Sequence, residues 1–293
     1  MTLDRDDIEL FASEPATAAV QAADSGSSSR PHRGSPRHRL SQIGWELLLP
    51  ILLVAAWWIW SVQADSLFYP PVPAILRSFS DTWFGSGFLS DVIPSLSNLA
   101  IGYVVGVVLG IAVGTGLALL PWLRTAATPV LEFARSLPAP AVLPFAILVL
   151  GIGDEMKIGI IILGVIFPVL INTVDGIRSI EPTTKEMARV YRLPLGFRLR
   201  YVVLPAASPQ IVVGARTSLS IGILLMVVSE MVASTHGIGF FTIQAQRSFA
   251  FPQMWSGMLL LGILGYLLNA LFGVGERRVL RWQASAARAA AGR

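Results

Sequence analysis

Long apolar runs, separated by shorter polar segments, dominate the hydrophobic pattern of this chain. A helix needs about 20 mostly apolar residues to cross the roughly 30 Å hydrocarbon core of a bilayer. Six runs come close enough to this length, at residues 45–62, 96–120, 136–153, 158–174, 211–233 and 252–275. The pattern therefore predicts an all-α integral membrane protein with six transmembrane helices.

Composition favours the same solvent. Hydrophobic residues make up 54% of the chain and charged residues 14%, whereas a soluble domain carries about 25% charged residues. The chain has no cysteine, which excludes disulfides, thiolate metal sites and cysteine nucleophiles. Its formal net charge is +4, but the arginines cluster at the ends of apolar runs rather than on a solvated basic face. We therefore expect a membrane protein with no nucleic-acid partner.

The two ends of the chain differ from the apolar centre. Residues 1–41 are rich in Ser, Gly, Pro and Arg and carry too little apolar surface to fold, which predicts a disordered basic tail. A secretory signal would place its basic residues at the extreme start, so the first apolar run is interpreted as a retained helix. The transmembrane domain is expected over residues 42–283, followed by a short tail at 284–293.

Basic residues mark one side of the predicted membrane. With six spans both termini share a side, and arginines precede the first span and follow the sixth. The connection between spans four and five, on that same side, holds Arg178, Lys185, Arg189, Arg192, Arg198 and Arg200. The opposite side has only Arg77, Lys157 and Arg247. Because positive residues collect on the cytoplasmic side, we expect both termini and this connection in the cytoplasm.

Four glycines recur at a spacing of four in the second span: Gly102, Gly106, Gly110 and Gly114. On a helix they form one stripe, along which another backbone can approach closely. The stripe predicts helix packing, either within the subunit or across a dimer.

The connection between spans four and five contains a polar, proline-closed segment, predicted as a loop over residues 183–209. Glu186–Arg192 is expected to form two turns of helix, and Phe197–Val203 a second short helix that Pro205 stops. Apolar residues lie among the arginines, so the segment is amphipathic. An amphipathic pair that lies on lipid headgroups is one interpretation, but it requires no particular order of residues.

The order of residues in this loop resembles the cytoplasmic signature of binding-protein-dependent ABC importer permeases. That signature runs Glu-Ala-Ala, three residues, Gly, nine residues, an aliphatic residue, one residue, then Leu-Pro. Glu186, Ala188, Leu204 and Pro205 keep this spacing without gaps, and Pro209 follows. The match favours a coupling role for the loop over contact with lipid alone.

Two positions depart from the signature: Met187 replaces the first alanine, and Arg192 stands at the usual glycine. Gly196, four residues later, is the expected source of flexibility. The resemblance extends over about residues 45–283 and is similar to the nitrate/sulfonate/taurine branch. It is carried by FYPPVPAIL (68–76), SLPAPAVLPFAILVLGIGDEMKI (136–158), FPVLINTVDGIRSIEP (167–182), GARTSLSIG (214–222), VSEMVASTHGIGFFTIQAQ (228–246) and ERRVLRW (276–282).

The resemblance implies a permease subunit in the inner membrane of a prokaryote, working as a homodimer. Its implied partners are two cytoplasmic ATP-binding subunits and an extracytoplasmic binding protein that delivers a small, anionic, nitrate/sulfonate/taurine-like solute. The 183–209 loop would then be a coupling helix seated in a cleft of the ATPase.

The sequence lacks a phosphate-binding loop, a dinucleotide fingerprint and the HExxH and GxSxG motifs. We therefore expect no catalytic, cofactor-binding or metal site in this chain, with ATP bound by the partner subunits. A secondary transporter or channel driven by an ion gradient is the alternative function. It favours inverted repeats and interrupted spans, and no internal repeat is evident.

Polar residues within the predicted spans are the candidates for a solute pathway. Glu230 is the only acid well inside a span, where an ionisable group is a functional hypothesis by default. Pairing with an arginine, or a position where span five ends in the wet interface, is an equally good explanation. Asn172 and Ser229 are further candidates, although interhelical hydrogen bonding is the commoner use of such residues.

Overall fold

The computed structural model describes residues 36–64 and 66–281, and every regular element in these ranges is helical. The helices are α1 (Pro36–Ala64), α2 (Val72–Trp83), α3 (Ile93–Leu119), α4 (Pro121–Ser136), α5 (Leu143–Leu150), α6 (Asp154–Arg178), α7 (Pro182–Val190), α8 (Leu195–Arg198), α9 (Leu204–Val232), α10 (Ile238–Arg247) and α11 (Phe251–Val279). Three short turns precede helices: a π turn at Phe88–Val92 leads into α3, a 3₁₀ turn at Ala139–Val142 into α5, and a π turn at Leu199–Val203 into α9.

The chain divides into two compact units, one ending at Trp57 and the other beginning at Trp58. Of the first unit the structure describes only the start of α1. All the remaining helices belong to the second unit. The predicted tails at residues 1–41 and 284–293 lie outside the described residues, except that α1 already begins at Pro36.

The core of the second unit is built on α3, α6 and α9. The glycine stripe of α3 lies against α6: a Cβ added to Gly102 would come within 2.7 Å of Ile161, and one added to Gly106 within 2.8 Å of Val165. Gly110 and Gly114 lie in the same way against Val169 and Thr173, 2.8 Å away in each case. The contacts advance along both helices together, so α3 and α6 run parallel at close backbone separation within one subunit.

Helix α9 packs against α6 in the opposite direction. A Cβ on Gly164 of α6 would collide with Leu225 of α9, whereas one on Gly176, further along α6, would lie 2.8 Å from Gln210. A separate core cluster joins α2, α10 and α11, where the rings of Trp83 and Phe241 are 4.8 Å apart.

The directions of α3, α6 and α9 define two ends of the bundle. At one end α3 and α6 begin and α9 ends; it is here called the polar end. The opposite end is here called the loop end.

Within the described residues, four helical stretches are long and apolar enough to cross a membrane: Phe88–Leu119, Asp154–Arg178, Leu195–Val232 and Phe251–Val279. They contain or largely overlap the predicted spans at 96–120, 158–174, 211–233 and 252–275. Large apolar side chains such as Val104, Val108 and Val113 point outward from α3, as expected where lipid replaces water. The span predicted at 45–62 falls in α1, of which Ile51–Gln63 counts as a shorter apolar helix.

The segment predicted as a third span, residues 136–153, is not a straight crossing helix. Helix α4 ends at Ser136, and the chain bends by 90° before the stretch Ala139–Leu150. Pro138 and Pro140 explain the break, because a proline has no N–H to continue the helical ladder. At about 1.5 Å per residue, the stretch after the bend is too short to cross a bilayer by itself. Among the described residues the count of crossings rises to five if α4 and this stretch form one bent span.

Candidate functional site

The loop between α6 and α9 begins with α7, which ends in a Schellman motif. The N–H of Leu193 donates to the carbonyl of Ala188 at 3.2 Å, and the N–H of Arg192 donates to the carbonyl of Arg189 at 2.9 Å. The motif needs a left-handed residue at its centre, and Arg192 has φ of 47°. The usual glycine of the resembling family therefore corresponds here to an arginine held in the backbone conformation that favours glycine.

Gly196 lies in α8, and a Cβ added to it would meet nothing within 4 Å. The left-handed turn is made at Arg192 itself, and a flexible role for Gly196 stays a prediction.

The prolines of the loop also act differently from the prediction. Pro205 does not stop a helix: α8, the π turn at Leu199–Val203 and α9 form one helical stretch, Leu195–Val232. Pro205 occupies the first turn of α9, where a missing N–H costs little, and the wider π turn precedes it. Pro209 lies inside α9, one turn later. The part of the loop from Leu195 onward is thus continuous with a core helix.

The outward face of the loop is both charged and apolar. Glu186 is exposed, whereas Ala188 is only 2% exposed. Leu204 is half-buried at the start of α9. Large apolar side chains that lack cover here are Met187, Val190, Tyr191, Leu195, Phe197 and Tyr201. We call this set the loop knob. A water-exposed apolar patch of this kind marks a protein contact or a membrane contact.

A buried polar cluster lies at the polar end of the bundle, centred on Glu230, whose side chain is 1% exposed. Its carboxylate accepts hydrogen bonds from the Ser95 hydroxyl at 2.6 Å and from the N–H of Gly239 at 2.8 Å. The N–H of Gly237 donates to Asp91 at 2.8 Å. Two carboxylates from other elements thus cap the positive N-terminus of α10, and the partner of Glu230 is not an arginine.

The glycines of the stretch 237–239 fit this contact. Gly237 has φ of 113°, and a Cβ added to it would lie 2.5 Å from the Glu230 carboxyl carbon. A Cβ on Gly239 would meet the carbonyl of Val227 at 2.5 Å. Glycine at 237 and 239 therefore allows the α10 N-terminus to approach a buried carboxylate.

A second part of the polar cluster surrounds Lys157, which is 1% exposed. Its ammonium donates to Asp154 Oδ1 at 2.9 Å, and the same oxygen accepts from Asn98 at 2.8 Å. His236 Nε2 lies 3.3 Å from that oxygen. The charge pattern predicted only that Lys157 lies on the side of the membrane opposite the basic loop, and the hydrophobic pattern does not indicate that it is buried. Together these contacts tie α3 and α6 to the segment after α9.

The other predicted pathway residues have local partners. Ser229 is fully buried and donates to the carbonyl of Met226 at 2.9 Å in its own helix. Asn172 donates to the carbonyl of Pro168 at 2.8 Å, also within its helix. Neither residue lines the cavity described next, and a pathway role for Asn172, Ser229 and Glu230 stays a prediction.

The break between α4 and α5 opens a cavity of about 520 Å³, here called the elbow chamber. Its walls come from the break itself, from α6 at Gly164 and Phe167, and from α9 at Leu224 and Leu225. Arg135, near the end of α4, also lines it. Sequence reasoning missed this cavity, because it depended on a bend that the apolar run at 136–153 concealed.

Within the described residues, no group of three or more His, Cys, Asp or Glu side chains is arranged to hold a metal ion. Buried charges are instead paired with each other or with backbone groups, as in the polar cluster. The arrangement provides contact surfaces, a cavity and buried hydrogen-bonded charges.

Comparison with known families gives a match over most of the bundle. Residues 106–282 match the family described as "Binding-protein-dependent transport system inner membrane component". This range contains the elbow chamber and the loop knob, and excludes the first apolar run.

Among curated proteins, the chain is 31% identical to the putative aliphatic sulfonates transport permease protein SsuC of Bacillus subtilis (strain 168), covering 83% of this chain and 89% of that protein. It is 29% identical to the taurine transport system permease protein TauC of Escherichia coli (strain K12), covering 80% and 87%. It is 33% identical to the riboflavin transport system permease protein RibX of Chloroflexus aurantiacus, covering 86% and 97%.

Among solved structures, the fold resembles a chain of the MetNI methionine ABC transporter in an inward-facing conformation. The TM-score is 0.56 at 24% identity, and the match covers 64% of this chain and 94% of that chain. At this identity the likeness concerns the fold alone.

Proposed function

The chain belongs to the family of binding-protein-dependent transport system inner membrane components, in its nitrate/sulfonate/taurine branch, and from that premise we propose how it works. It is the membrane-spanning subunit of an ATP-driven importer and acts as a homodimer of six-span subunits. Two separate ATP-binding subunits drive it through the loop 183–209. An extracytoplasmic binding protein delivers its solute, a small anion of the nitrate, sulfonate or taurine type.

The loop knob is the observation that carries the coupling proposal. Its side chains are apolar and uncovered, yet they stand on a segment that also holds exposed Glu186 and several arginines. A segment lying on lipid would turn its apolar face into the bilayer and its charges away. An apolar patch surrounded by charge fits a cleft in a partner protein as well as it fits a lipid surface. The order of residues in the loop, which matches the family signature, favours the partner protein over lipid.

Rigidity of the loop supports the same role. A lever transmits motion only if it does not bend at its base, and here the part of the knob from Leu195 onward continues through the π turn into α9 without a break. Helix α7 is closed by the Schellman motif and α9 packs on α6. A displacement of the knob would therefore move the core helices that line the elbow chamber.

The names of the relatives indicate a range of solutes but do not identify the solute of this protein. Relatives of comparable identity are named for aliphatic sulfonates, taurine and riboflavin. Specificity in such a system is expected to reside in the binding protein, and the permease needs only to let the released solute pass. An anionic solute is proposed because the sulfonate and taurine relatives are named for solutes that carry a sulfonate group.

Copurification from the native membrane tests the partnership. We expect the tagged full-length chain, extracted in detergent, to bring with it an ATPase that crosslinks to a cysteine placed at Tyr191 in the loop knob. A gradient-driven carrier would come out alone. Crosslinks from this position to lipid only would reject the coupling proposal.

The variant Glu186→Ala tests coupling within the assembled complex. We expect the complex to assemble and hydrolyse ATP while transport falls at least tenfold, because the loop no longer transmits the ATPase motion. Glu155→Ala, which removes an exposed acid at the polar end, is the matched control and should transport normally. Uptake per ATP hydrolysed in proteoliposomes is the measurement, and an unchanged ratio for Glu186→Ala would contradict the proposal.

A further inference from the structure

The elbow chamber has the size of a ligand site rather than of a packing defect. Its volume of about 520 Å³ falls within the range of about 300–1,000 Å³ that small-molecule sites occupy. It lies where α4 and α5 break, against the middle of α6 and α9. Pro168 on its wall has no N–H, so the carbonyl of Gly164, also on the wall, lacks its normal helical partner. Irregular backbone at this depth is tolerated where it lines a cavity.

Apart from one side chain, the chamber wall is free of charge. Leu163, Phe167, Ile221 and Leu224 are typical of its lining, and Arg135 is the only charged residue among the described residues that line it. The wall therefore offers a large apolar surface and a single cation at its rim.

Arg135 is already paired with Glu132, but the pair leaves some of its N–H donors unused. Its Nη2 lies 2.7 Å from Glu132 Oε2, and both side chains are about half exposed. Glu132 lines a separate cavity of about 160 Å³ beside the chamber, whereas Arg135 lines both. A guanidinium has five N–H donors, and this pair occupies only one edge of it. The remaining donors are available to a second anion.

We propose that the elbow chamber is a transit site for an organic monoanion, with its anionic head on Arg135 and its apolar body along the wall. The proposal rests on the proposed function, since it takes the solute to pass through this chain. It names the chemistry of the solute, one anionic head on an apolar body, and adds Arg135 as the specificity-determining residue.

The same wall discriminates among the solutes of the family branch. Nitrate has no apolar body, so it buries no apolar surface against the wall that would offset the cost of its dehydration. Taurine carries an ammonium group, and no carboxylate among the described residues lines the chamber to receive it. An alkanesulfonate or an alkanoate fits both the apolar wall and Arg135. Its alkyl chain packs along the wall, and Arg binds a sulfonate or a carboxylate through a pair of N–H groups.

The absence of cysteine from the chain makes a direct test possible. Leu224→Cys places one thiol on the chamber wall, and Leu163→Cys is a second position if the first variant does not assemble. The purified native complex is treated with two thiol reagents of similar size: anionic sulfonatoethyl methanethiosulfonate and cationic trimethylammonioethyl methanethiosulfonate. The ratio of their reaction rates reports the charge that the chamber presents.

We expect the anionic reagent to be favoured, and Arg135→Gln to lower the rate ratio roughly tenfold, as loss of one nearby charge requires. Arg135→Lys should retain most of the preference. Arg124→Gln removes a charge from the adjoining cavity alone and is the matched control. Leu271→Cys, an exposed position on α11 outside the chamber, should show no effect of Arg135→Gln.

Protection against labelling identifies the ligand chemistry. Hexanesulfonate and hexanoate should slow the labelling of Leu224→Cys, whereas nitrate and taurine should not, and Arg135→Gln should abolish the protection. An unchanged rate ratio in Arg135→Gln, equal protection by nitrate, or no labelling at either chamber position would overturn the proposal. No labelling at either position would indicate a chamber filled by a second copy of the chain or by lipid.

Failure of this inference is distinguishable from failure of the proposed function. The labelling rates do not depend on transport, so a complex that contains an ATPase but shows no charge selectivity would reject the chamber alone. A chain that carries no ATPase would reject the proposed function, whatever the labelling shows.

Discussion

Arg192 and Phe249 both hold a left-handed backbone, with φ of 47° and 58°, and each ends a helix through the same pair of hydrogen bonds. Phe249 also has an aromatic neighbour, Phe251, with ring centroids 6.1 Å apart. Arg192 stands on the exposed loop, where the family signature has glycine. The strain at Arg192 is therefore local and removable by a single substitution.

We expect Arg192→Gly to stabilise the loop by about 1 kcal/mol, the cost of a left-handed conformation for a residue with a Cβ. Arg189→Gly, three residues earlier and within α7, should destabilise it by about the same amount, because glycine is a poor helix former. The rate of limited proteolysis between residues 182 and 205 of the native complex measures both. If both variants are cleaved faster than the parent chain, the Schellman geometry is wrong.

Glu230 is buried, so the stability of the protein should depend on the hydrogen bonds that its carboxylate accepts. Glu230→Ala would leave the N–H of Gly239 buried without an acceptor, which should cost about 2 kcal/mol, whereas the Ser95 hydroxyl can still donate to the carbonyl of Asp91, 2.8 Å away. Glu230→Gln keeps one acceptor oxygen and should cost less. Ser229→Ala, its buried neighbour, removes only a bond within its own helix and should cost under about 1 kcal/mol. The temperature of half-inactivation of the detergent-solubilised complex ranks the three variants, and equal losses would exclude the capping role.

The sequence was sufficient to single out Glu230, because an acid inside an apolar run is conspicuous. It was not sufficient to identify its partners. Ser95 lies far away in the chain, and the N–H of Gly239 carries no sequence signal at all. The same limit applies to Asp154, which pairs with Lys157 one turn along its own helix but also accepts a hydrogen bond from Asn98 of α3. Pairings of this kind are set by tertiary packing and not by local pattern.

At the level of elements, α3 and α6 meet as a glycine groove and a matching ridge. The groove repeats every four residues from Gly102 to Gly114, and the ridge from Ile161 to Thr173 has the same repeat. Equal repeats on both helices let the contact continue over several turns without losing register. Most of the ridge residues are β-branched and stiff, so they yield little to any added atom.

Substitutions in this groove should separate close packing from simple glycine content. Gly106→Ala would place a Cβ 2.8 Å from Val165 and should destabilise the protein by about 1–3 kcal/mol through overpacking. Val165→Ala in the same chain should restore much of the loss. Gly116→Ala, two residues beyond the groove, meets nothing within 4 Å and should be neutral or stabilising. Thermal denaturation of the complex is the measurement, and a neutral Gly106→Ala would contradict the geometry.

Element prediction from hydrophobicity worked where the helix is straight and failed where proline changes its direction. The apolar runs at 96–120, 158–174, 211–233 and 252–275 coincide with long helices. The run at 136–153 is equally apolar, but Pro138 and Pro140 turn it through 90°, and hydropathy does not register a change of direction. At Pro205 the prediction erred in the other direction: it placed a helix end where the helix continues. A proline is tolerated in the first turn of a helix, and Pro205 lies in the first turn of α9.

For the molecule as a whole, the distribution of charge over the two ends of the bundle favours one orientation in the membrane. The loop end carries Arg124 from the start of α4, the arginines of the 183–209 loop, and Arg277 and Arg278 from the end of α11. The opposite side has fewer basic residues, Arg77, Arg247 and Lys157, and Lys157 is paired with Asp154. The excess of positive charge at the loop end predicts that this end faces the cytoplasm, where an ATPase has its nucleotide.

Single cysteines in the otherwise cysteine-free chain can establish this orientation. Tyr191→Cys lies at the loop end and is 73% exposed, and Ile152→Cys lies at the polar end and is 70% exposed, so the two sites are matched in accessibility. In intact spheroplasts a membrane-impermeant maleimide should label Ile152→Cys and spare Tyr191→Cys, and in inverted vesicles the order should reverse. Labelling of Tyr191→Cys from outside would place the loop knob away from any cytoplasmic ATPase, and the coupling proposal would then fail together with the orientation, because both depend on the same end of the bundle.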